Sequence, residues 1–382
     1  RAPRPRSLAV PPVAGPIVGV AALFMTDGSW RSAVIGTFIA AVIALSLVVV
    51  TGYAGQVSLA QLALAGTAAF TLSWLTESVG VPFPIAPLLA AVVAAVIGVV
   101  IGLPALRLRG LTLGVVTLAF AYAIEAVWFR NTDMVGTSGA RVEAPTLGGL
   151  DLGIGSGHDF PRVEFGLVCL VVLVLVALGV AALRRSALGS AMLAVRANER
   201  SAAAVGVNVV RVKVLSFALA SFIAGLGGSL LGYRQGLVTF DSFTAIGGLA
   251  LLSTAYLAGV TSVWGGVLAG ILASTGIAFV ALDKWVDLGS WFQVISGVLL
   301  IVTLITHPEG LASGGHAIAD RARRWWAQGT RHGAEAPPPE PADRVVVPPV
   351  AASPASPAVP PVPAVPPAPA ADGAGRHVEH HT

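Results

Sequence analysis

Residues 184–213 read RRSALGSAMLAVRANERSAAAVGVNVVRVK, a basic island set between two long apolar runs. Six of the chain's 23 Lys and Arg residues sit in it, against one acid, Glu199. Apolar runs of spanning length on both sides make the island a loop at a membrane surface. Its middle is rich in the good helix formers Ala, Leu, Met, Arg and Glu, and Gly206 with Asn208 supplies a stop. On a single helix Glu199, Ala202, Ala203 and Gly206 fall at i, i+3, i+4 and i+7, a small and shallow face suited to docking into another protein. The plainer reading is an ordinary positively charged cytoplasmic loop.

Composition agrees with a membrane protein. The chain is 55% apolar and only 11% charged, with a mean hydropathy of +0.82, whereas soluble domains are about 25% charged. A spanning helix needs about 20 apolar residues, and ten stretches qualify: 9–25, 32–51, 57–75, 84–103, 110–129, 165–183, 211–233, 246–260, 263–282 and 291–306. The first is short and interrupted by Pro11, Pro12 and Pro16, which also argue against a cleavable signal peptide. The eighth is short as well. The expected fold class is therefore an all-α integral membrane protein, a polytopic helical bundle of about ten (8–10) transmembrane helices.

Basic residues orient the bundle. Arg1, Arg4, Arg6, Arg107, Arg109 and the island fall on one side, and Arg31, Arg130, Arg141, Arg162, Arg234 and Lys284 on the other. The excess belongs inside, so the expected orientation is N-in and C-in. Residues 1–312 then form the transmembrane domain, with an external loop at 130–164 that reads as polar and roomy. A basic, Trp-bearing interfacial segment follows at 313–335. From Ala336 to residue 382 the chain is Pro, Ala and Val, a composition for a disordered cytoplasmic tail.

Several chemistries are excluded. None of the seven histidines lies in a candidate span, and Cys169 is the only cysteine, so neither a metal centre nor an internal disulfide is expected. The two lysines, Lys213 and Lys284, stand outside any GxxxxGK[ST] motif, so the chain has no P-loop of its own and no catalytic constellation. With basic residues confined to membrane flanks and a tail, nucleic acid is not an expected partner.

Other motifs speak to packing and passage. Gly98/Gly102, Gly110/Gly114, Gly228/Gly232 and Gly266/Gly270 are GxxxG pairs, which let helices approach closely in lipid. Glu125 is the only acid well inside a span; close to Arg130, it reads as a structural or interfacial carboxylate rather than a proton relay. Gly52, Tyr53, Gly55, Gln56, Ser58 and Gln61 put glycines and amides at membrane depth. Irregular backbone is tolerated there only when buried or lining a cavity, so these residues are candidates for a translocation pathway. A short cytoplasmic turn would explain the first four and not Ser58 and Gln61.

Three stretches together resemble a known family. TGYAGQVSLAQLALAGTAAF (51–70), LPALRLRGLTLGVVTLAFAYAIE (103–125) and GSAMLAVRANERSAAAVGVNVVRVKVLSFALASFIAGLGGSLLG (189–232) are similar to signatures of the branched-chain amino-acid ABC transporter permease family, in its M-type subunit. The resemblance covers roughly residues 30–310. It departs at Ala60, where the family usually has glycine, and at Leu111-Thr112, where it usually has an aromatic-bearing dipeptide.

The resemblance implies an importer in the bacterial plasma (inner) membrane. Its parts would be this chain, a homologous H-type permease subunit, two ABC ATPase subunits and an external substrate-binding protein. ATP and Mg would be bound by the ATPases, with no cofactor in this chain. Arg196, Glu199, Ala202, Ala203 and Gly206 match the family's ATPase-coupling loop, and Thr137, Ser138, Gly139 and Arg141 would face the binding protein. Branched-chain amino acids or related small amides are the implied cargo. Urea or a sugar on the same scaffold, or a gradient-driven secondary transporter, are the competing readings. For the tail, deletion of all residues after Ala336 is expected to leave folding and uptake largely intact; loss of a monodisperse, membrane-inserted protein on truncation would contradict it.

Overall fold

The computed structural model describes residues 10–286, apart from 106–107, 109, 137–138 and 156–159. Thirteen α-helices follow in order among the described residues: α1 (Val10–Met25), α2 (Gly28–Leu47), α3 (Gln61–Glu77), α4 (Ile85–Ala105), α5 (Leu111–Ile124), α6 (Thr132–Val135), α7 (Val163–Arg185), α8 (Ala187–Ala197), α9 (Glu199–Ala204), α10 (Val209–Gln235), α11 (Ala245–Ala258), α12 (Val263–Leu272) and α13 (Ile277–Val286). Two π-helical stretches extend α2 and α5, at Val48–Tyr53 and Glu125–Phe129. Four two-residue strands, β1 (Ala140–Arg141), β2 (Thr146–Leu147), β3 (Leu150–Asp151) and β4 (Leu237–Val238), pair antiparallel as β1 with β4 and β2 with β3.

Among the described residues, six helical stretches are long and apolar enough to cross a membrane: Gly28–Tyr53, Ile85–Pro104, Thr112–Phe129, Val163–Arg185, Val209–Gln235 and Val263–Lys284. The last is interrupted at residues 273–276, between α12 and α13. Of the ten expected spans, three more correspond to the shorter α1, α3 and α11. The tenth, 291–306, lies outside the described residues, as do the interfacial segment and the tail.

The helix at the centre is α2. Every residue from Ala33 to Leu47 is buried, and so is the π-helical turn that follows. With no face toward lipid, α2 shows no amphipathic stripe; it is apolar all round because protein surrounds it. Helices α7, α10 and α12 pack around it, and α10 reaches past it to α3 and α4. Buried hydroxyls on these helices satisfy themselves on their own turns: Thr37 on Ala33 O (2.9 Å), Thr67 on Leu64 O (2.8 Å), Thr76 on Leu72 O (2.9 Å).

Small residues set the spacing. A Cβ at Gly228 of α10 would collide with the Ala65 carbonyl of α3, and one at Gly98 of α4 would collide with the Ser221 side chain. At Gly270 of α12 it would stand 2.6 Å from Ala41 N of α2. Three of the four GxxxG pairs thus lie at helix crossings. The Gly110/Gly114 pair does not: Gly110 faces open space and Gly114 has ordinary contacts with Val57 and Leu59. Gly179 of α7 has nothing within 4 Å among the described residues. Gly228→Ala is expected to destabilise the protein by about 1–3 kcal/mol through overpacking, whereas Gly179→Ala stabilises it by up to about 1 kcal/mol through helix propensity. Thermal unfolding midpoints in detergent should move in opposite directions.

Candidate functional site

Between the π-helix and α3 the backbone is non-helical from residue 55 to residue 60. Ala54 N–H donates to Val49 O (3.2 Å) and Gln56 N–H to Val50 O (2.9 Å), wider loops than an α-helix makes. The freed groups find partners nearby. Thr51 Oγ1 donates to Gln56 O (3.1 Å), and Leu59 N–H donates to Thr117 Oγ1 of α5 (3.1 Å). Gly55 takes a positive φ of 69°, which opens the turn, and Gly52 lets the Val260 carbonyl lie against the π-helix.

This break is not a solvent-facing turn. Of the six candidate pathway residues, Gly52, Tyr53, Gln56, Ser58 and Gln61 are buried and only Gly55 is exposed. Gln61 Nε2 makes a long contact with Ser58 Oγ (3.4 Å). Tyr53 Oη, both amide atoms of Gln56 and Gln61 Oε1 are buried with no hydrogen-bond partner among the described residues. Buried polar atoms of this kind need water or a ligand. Ala60 caps α3 at φ −85°, a right-handed value open to any residue, and packs with Ala63, Leu64, Ile101 and Ala245. The methyl that replaces the family's glycine therefore brings no backbone strain.

The island folds as two helices rather than one. Ser186 caps α8 by accepting from Gly189 N–H (3.1 Å), Asn198 caps α9 by accepting from Arg200 and Ser201 N–H (3.0 and 3.2 Å), and Asn208 caps α10 through Arg211 N–H (3.0 Å). Helix α8 buries Gly189, Met192 and Val195. The short α9 ends at Ala204, and Gly206 beyond it has φ +88°.

The five predicted coupling residues consequently divide. Ala203 and Gly206 are exposed, together with Ala204 and with Val205 at 79%. Ala202 points inward, 3% exposed, so the expected i, i+3, i+4, i+7 docking face is corrected: α9 lays its Ala202 side against the bundle, and the helix ends before Gly206. Glu199 holds the buried ammonium of Lys213 (2.8 Å) rather than facing outward. Arg196 reaches back into the bundle, where its Nη1 donates to the Gly52 carbonyl and its stem packs on Gly55. A Cβ at Gly55 would stand 2.7 Å from Arg196 Cγ. The island and the buried break are thus in direct contact.

At the opposite end Glu125 acts as a brace, as the structural reading of it expects. Its Oε1 accepts from Arg130 Nε and Nη2 (3.0 and 2.7 Å) and its Oε2 from Ala245 N–H at the start of α11 (2.8 Å). The loop expected to be roomy is pinned in places. Arg141 O accepts from Ser73 Oγ (2.6 Å), Ala140 and Arg141 pair with Val238 and Leu237, and Gly139 fits under Val238 at φ +95°. The Arg141 side chain is exposed; Thr137 and Ser138 lie outside the described residues. Strands β2 and β3 turn at Gly148-Gly149, both at positive φ. The Gly153 N–H and the Arg162 guanidinium at Asp151 hold its carboxyl below the usual range.

Two contributors were missed from sequence. Thr117, one turn beyond Gly114 in the second family-like stretch, carries no signal of its partner 58 positions away. Lys213 was counted as a loop charge; its place inside an apolar helix, five residues after a cap at Asn208, is the signal that it needs an acid.

The family model described as "Branched-chain amino acid transport system / permease component" matches residues 31–304. The chain is 30% identical over 317 residues to the high-affinity branched-chain amino acid transport system permease protein LivM of Escherichia coli (strain K12), covering 77% of this chain and 72% of that protein. The LivM of Salmonella typhimurium (strain LT2) is 28% identical over 313 residues with the same coverage. The permease protein LivH of Escherichia coli (strain K12) matches over a shorter stretch, 29% identical across 34% of this chain and 41% of its own length. No solved structure matches.

The Glu199–Lys213 pair can be tested directly. Glu199→Gln should strand the Lys213 ammonium and cost about 3 kcal/mol, near the low end for buried pairs because Glu199 is partly exposed. The exchanged pair Glu199→Lys/Lys213→Glu should recover part of that loss in thermal midpoint.

Proposed function

The chain belongs to the family of branched-chain amino acid transport system permease components, and on that premise we propose that it is one membrane-spanning subunit of an ATP-binding-cassette importer. Its cargo would be leucine, isoleucine, valine or a related small amino acid or amide, moved toward the cytoplasm of a bacterial cell across the inner membrane. An H-type permease subunit would complete the membrane part. Two ATPases, carrying ATP and Mg, would sit beneath the island, and an external binding protein above the 130–164 loop. The chain itself would perform no chemistry.

The observation that carries this reading is the contact between Arg196 and the Gly52 carbonyl. It joins a loop with an exposed patch of small side chains, Ala203 to Gly206, to a buried break with unsatisfied polar atoms. A push on α9 would reach α8 through the rigid Asn198 cap, and from Arg196 the π-helix. Alternating access needs such a joint between the energy source and the pathway. The polar atoms at Tyr53, Gln56 and Gln61 would hydrogen-bond water or the passing solute. Selectivity among amino acids, urea and sugars would rest mainly with the external protein.

A gradient-driven carrier is the weaker reading. Such carriers use ionisable groups inside the membrane. Glu125, the one acid well inside a described span, has both oxygens engaged.

Ala203→Trp and Val205→Arg change exposed side chains and leave the Glu199–Lys213 pair in place. Both are expected to lower ATP-driven leucine uptake in proteoliposomes by tenfold or more and to weaken ATPase co-purification, with membrane insertion unchanged. Undiminished uptake in both variants would sink the coupling assignment.

A further inference from the structure

A cavity of about 430 Å³ opens at the end of the bundle opposite the island. It lies among the first turn of α2, the end of α10 and the break between α12 and α13, with Phe160 of the long loop on its edge. Arg234 is the charged residue in its lining. Nη2 of that guanidinium touches Ser32, with Oγ at 3.2 Å and the carbonyl at 3.5 Å. Its Nε and Nη1 make no hydrogen bond among the described residues, and no carboxylate there pairs with it. Arginine in a largely apolar setting ordinarily keeps a carboxylate or phosphate partner.

The surroundings favour an anion. Ser29, Ser32, Ser274 and Thr275 are among the lining residues. The start of α2 adds the positive end of a helix dipole. Lys284 stands at the rim, its Nζ donating to Ser29 Oγ (2.6 Å) and lying 5.1 Å from the Trp30 ring centre. Asp27, just before the start of α2, is turned to Arg31. Phe279 and Val280 form an apolar wall. The volume falls in the range of small-ligand pockets, and a guanidinium fork matches a carboxylate in two parallel hydrogen bonds.

We propose that this cavity is a binding site for a small carboxylate with a short apolar tail, held by Arg234 and the hydroxyls of the α12–α13 break. Resting on the permease reading, the ligand is the α-carboxylate of an amino acid arriving from outside. No acid stands among the described lining residues, so the ammonium group contributes little. The matching 2-oxo acid should bind as well as leucine, while leucinol, which keeps the ammonium and the branched tail, should not bind. A lipid phosphate has the same chemistry for the guanidinium and is the alternative occupant.

The test uses the full chain in phosphatidylcholine nanodiscs, with neither ATPase nor binding protein, and saturation-transfer NMR of three probes: L-leucine, leucinol and 4-methyl-2-oxopentanoate. Leucine and the oxo acid should give signals that Arg234→Gln abolishes and Arg234→Lys partly keeps. Thr275→Val, beside the guanidinium at Gly36, should weaken both by about fivefold to tenfold, and it covers the case in which Arg234→Gln fails to fold. Equal signals from leucinol, no response to either site's substitution, or no signal from any probe would overturn the proposal. So would loss of the leucine signal when phosphatidylglycerol is added, which would make a lipid headgroup the occupant. Since binding is read without uptake, a failure here is separate from a failure of the α9 variants in transport.

Discussion

A helix that breaks inside a membrane frees backbone N–H and C=O groups that water cannot reach, and the protein must satisfy them itself. Much of this structure follows from that requirement. After Tyr53 the freed groups are taken by Thr51, by Thr117 of α5 and by Arg196 of α8. Between α12 and α13, Ile277 N–H is taken by Thr37 of α2 (2.9 Å). Each partner comes from another helix or from the far side of the break, so each break is a point where separate elements are tied together.

The two breaks stand at opposite ends of α2, which is buried from Ala33 to Leu47 and held by close contacts with α10 and α12. A rigid strut flanked by two irregular, hydrogen-bonded joints is suited to passing a displacement at one end to a rearrangement at the other. The joint at the island end touches the basic island. The other carries the cavity around Arg234. Glu125 ties the π-turn after α5 to the start of α11.

Much of the bundle was legible from sequence because apolar length and small-residue spacing are local properties. The expected spans at 32–51, 84–103, 165–183 and 211–233 correspond to α2, α4, α7 and α10 within a few residues. Gly228 and Gly270 sit at crossings as their spacing suggested. The irregular segment was also visible, since Ser58 and Gln61 are polar where lipid would forbid it, and both are buried. Less legible were the relations between distant residues. Nothing in the island announces that Arg196 ends at Gly52, 144 positions away, or that Glu199 is held by Lys213. The spacing of Glu199, Ala202, Ala203 and Gly206 does not say which side of α9 meets the bundle, and so it puts the buried Ala202 on the docking face. The Gly110/Gly114 pair shows the converse error, a motif whose spacing is right and whose surroundings are not.

The central claim is that Arg196 transmits motion from the loop proposed to meet an ATPase to the buried break. Its most direct test is the ratio of leucine transported to ATP hydrolysed by the complete importer in proteoliposomes, compared between the unaltered chain and Arg196→Met. Methionine keeps an apolar stem against Gly55 and removes the donor to the Gly52 carbonyl. The account predicts that hydrolysis continues while the ratio falls by at least tenfold. A ratio equal to that of the unaltered chain would contradict it.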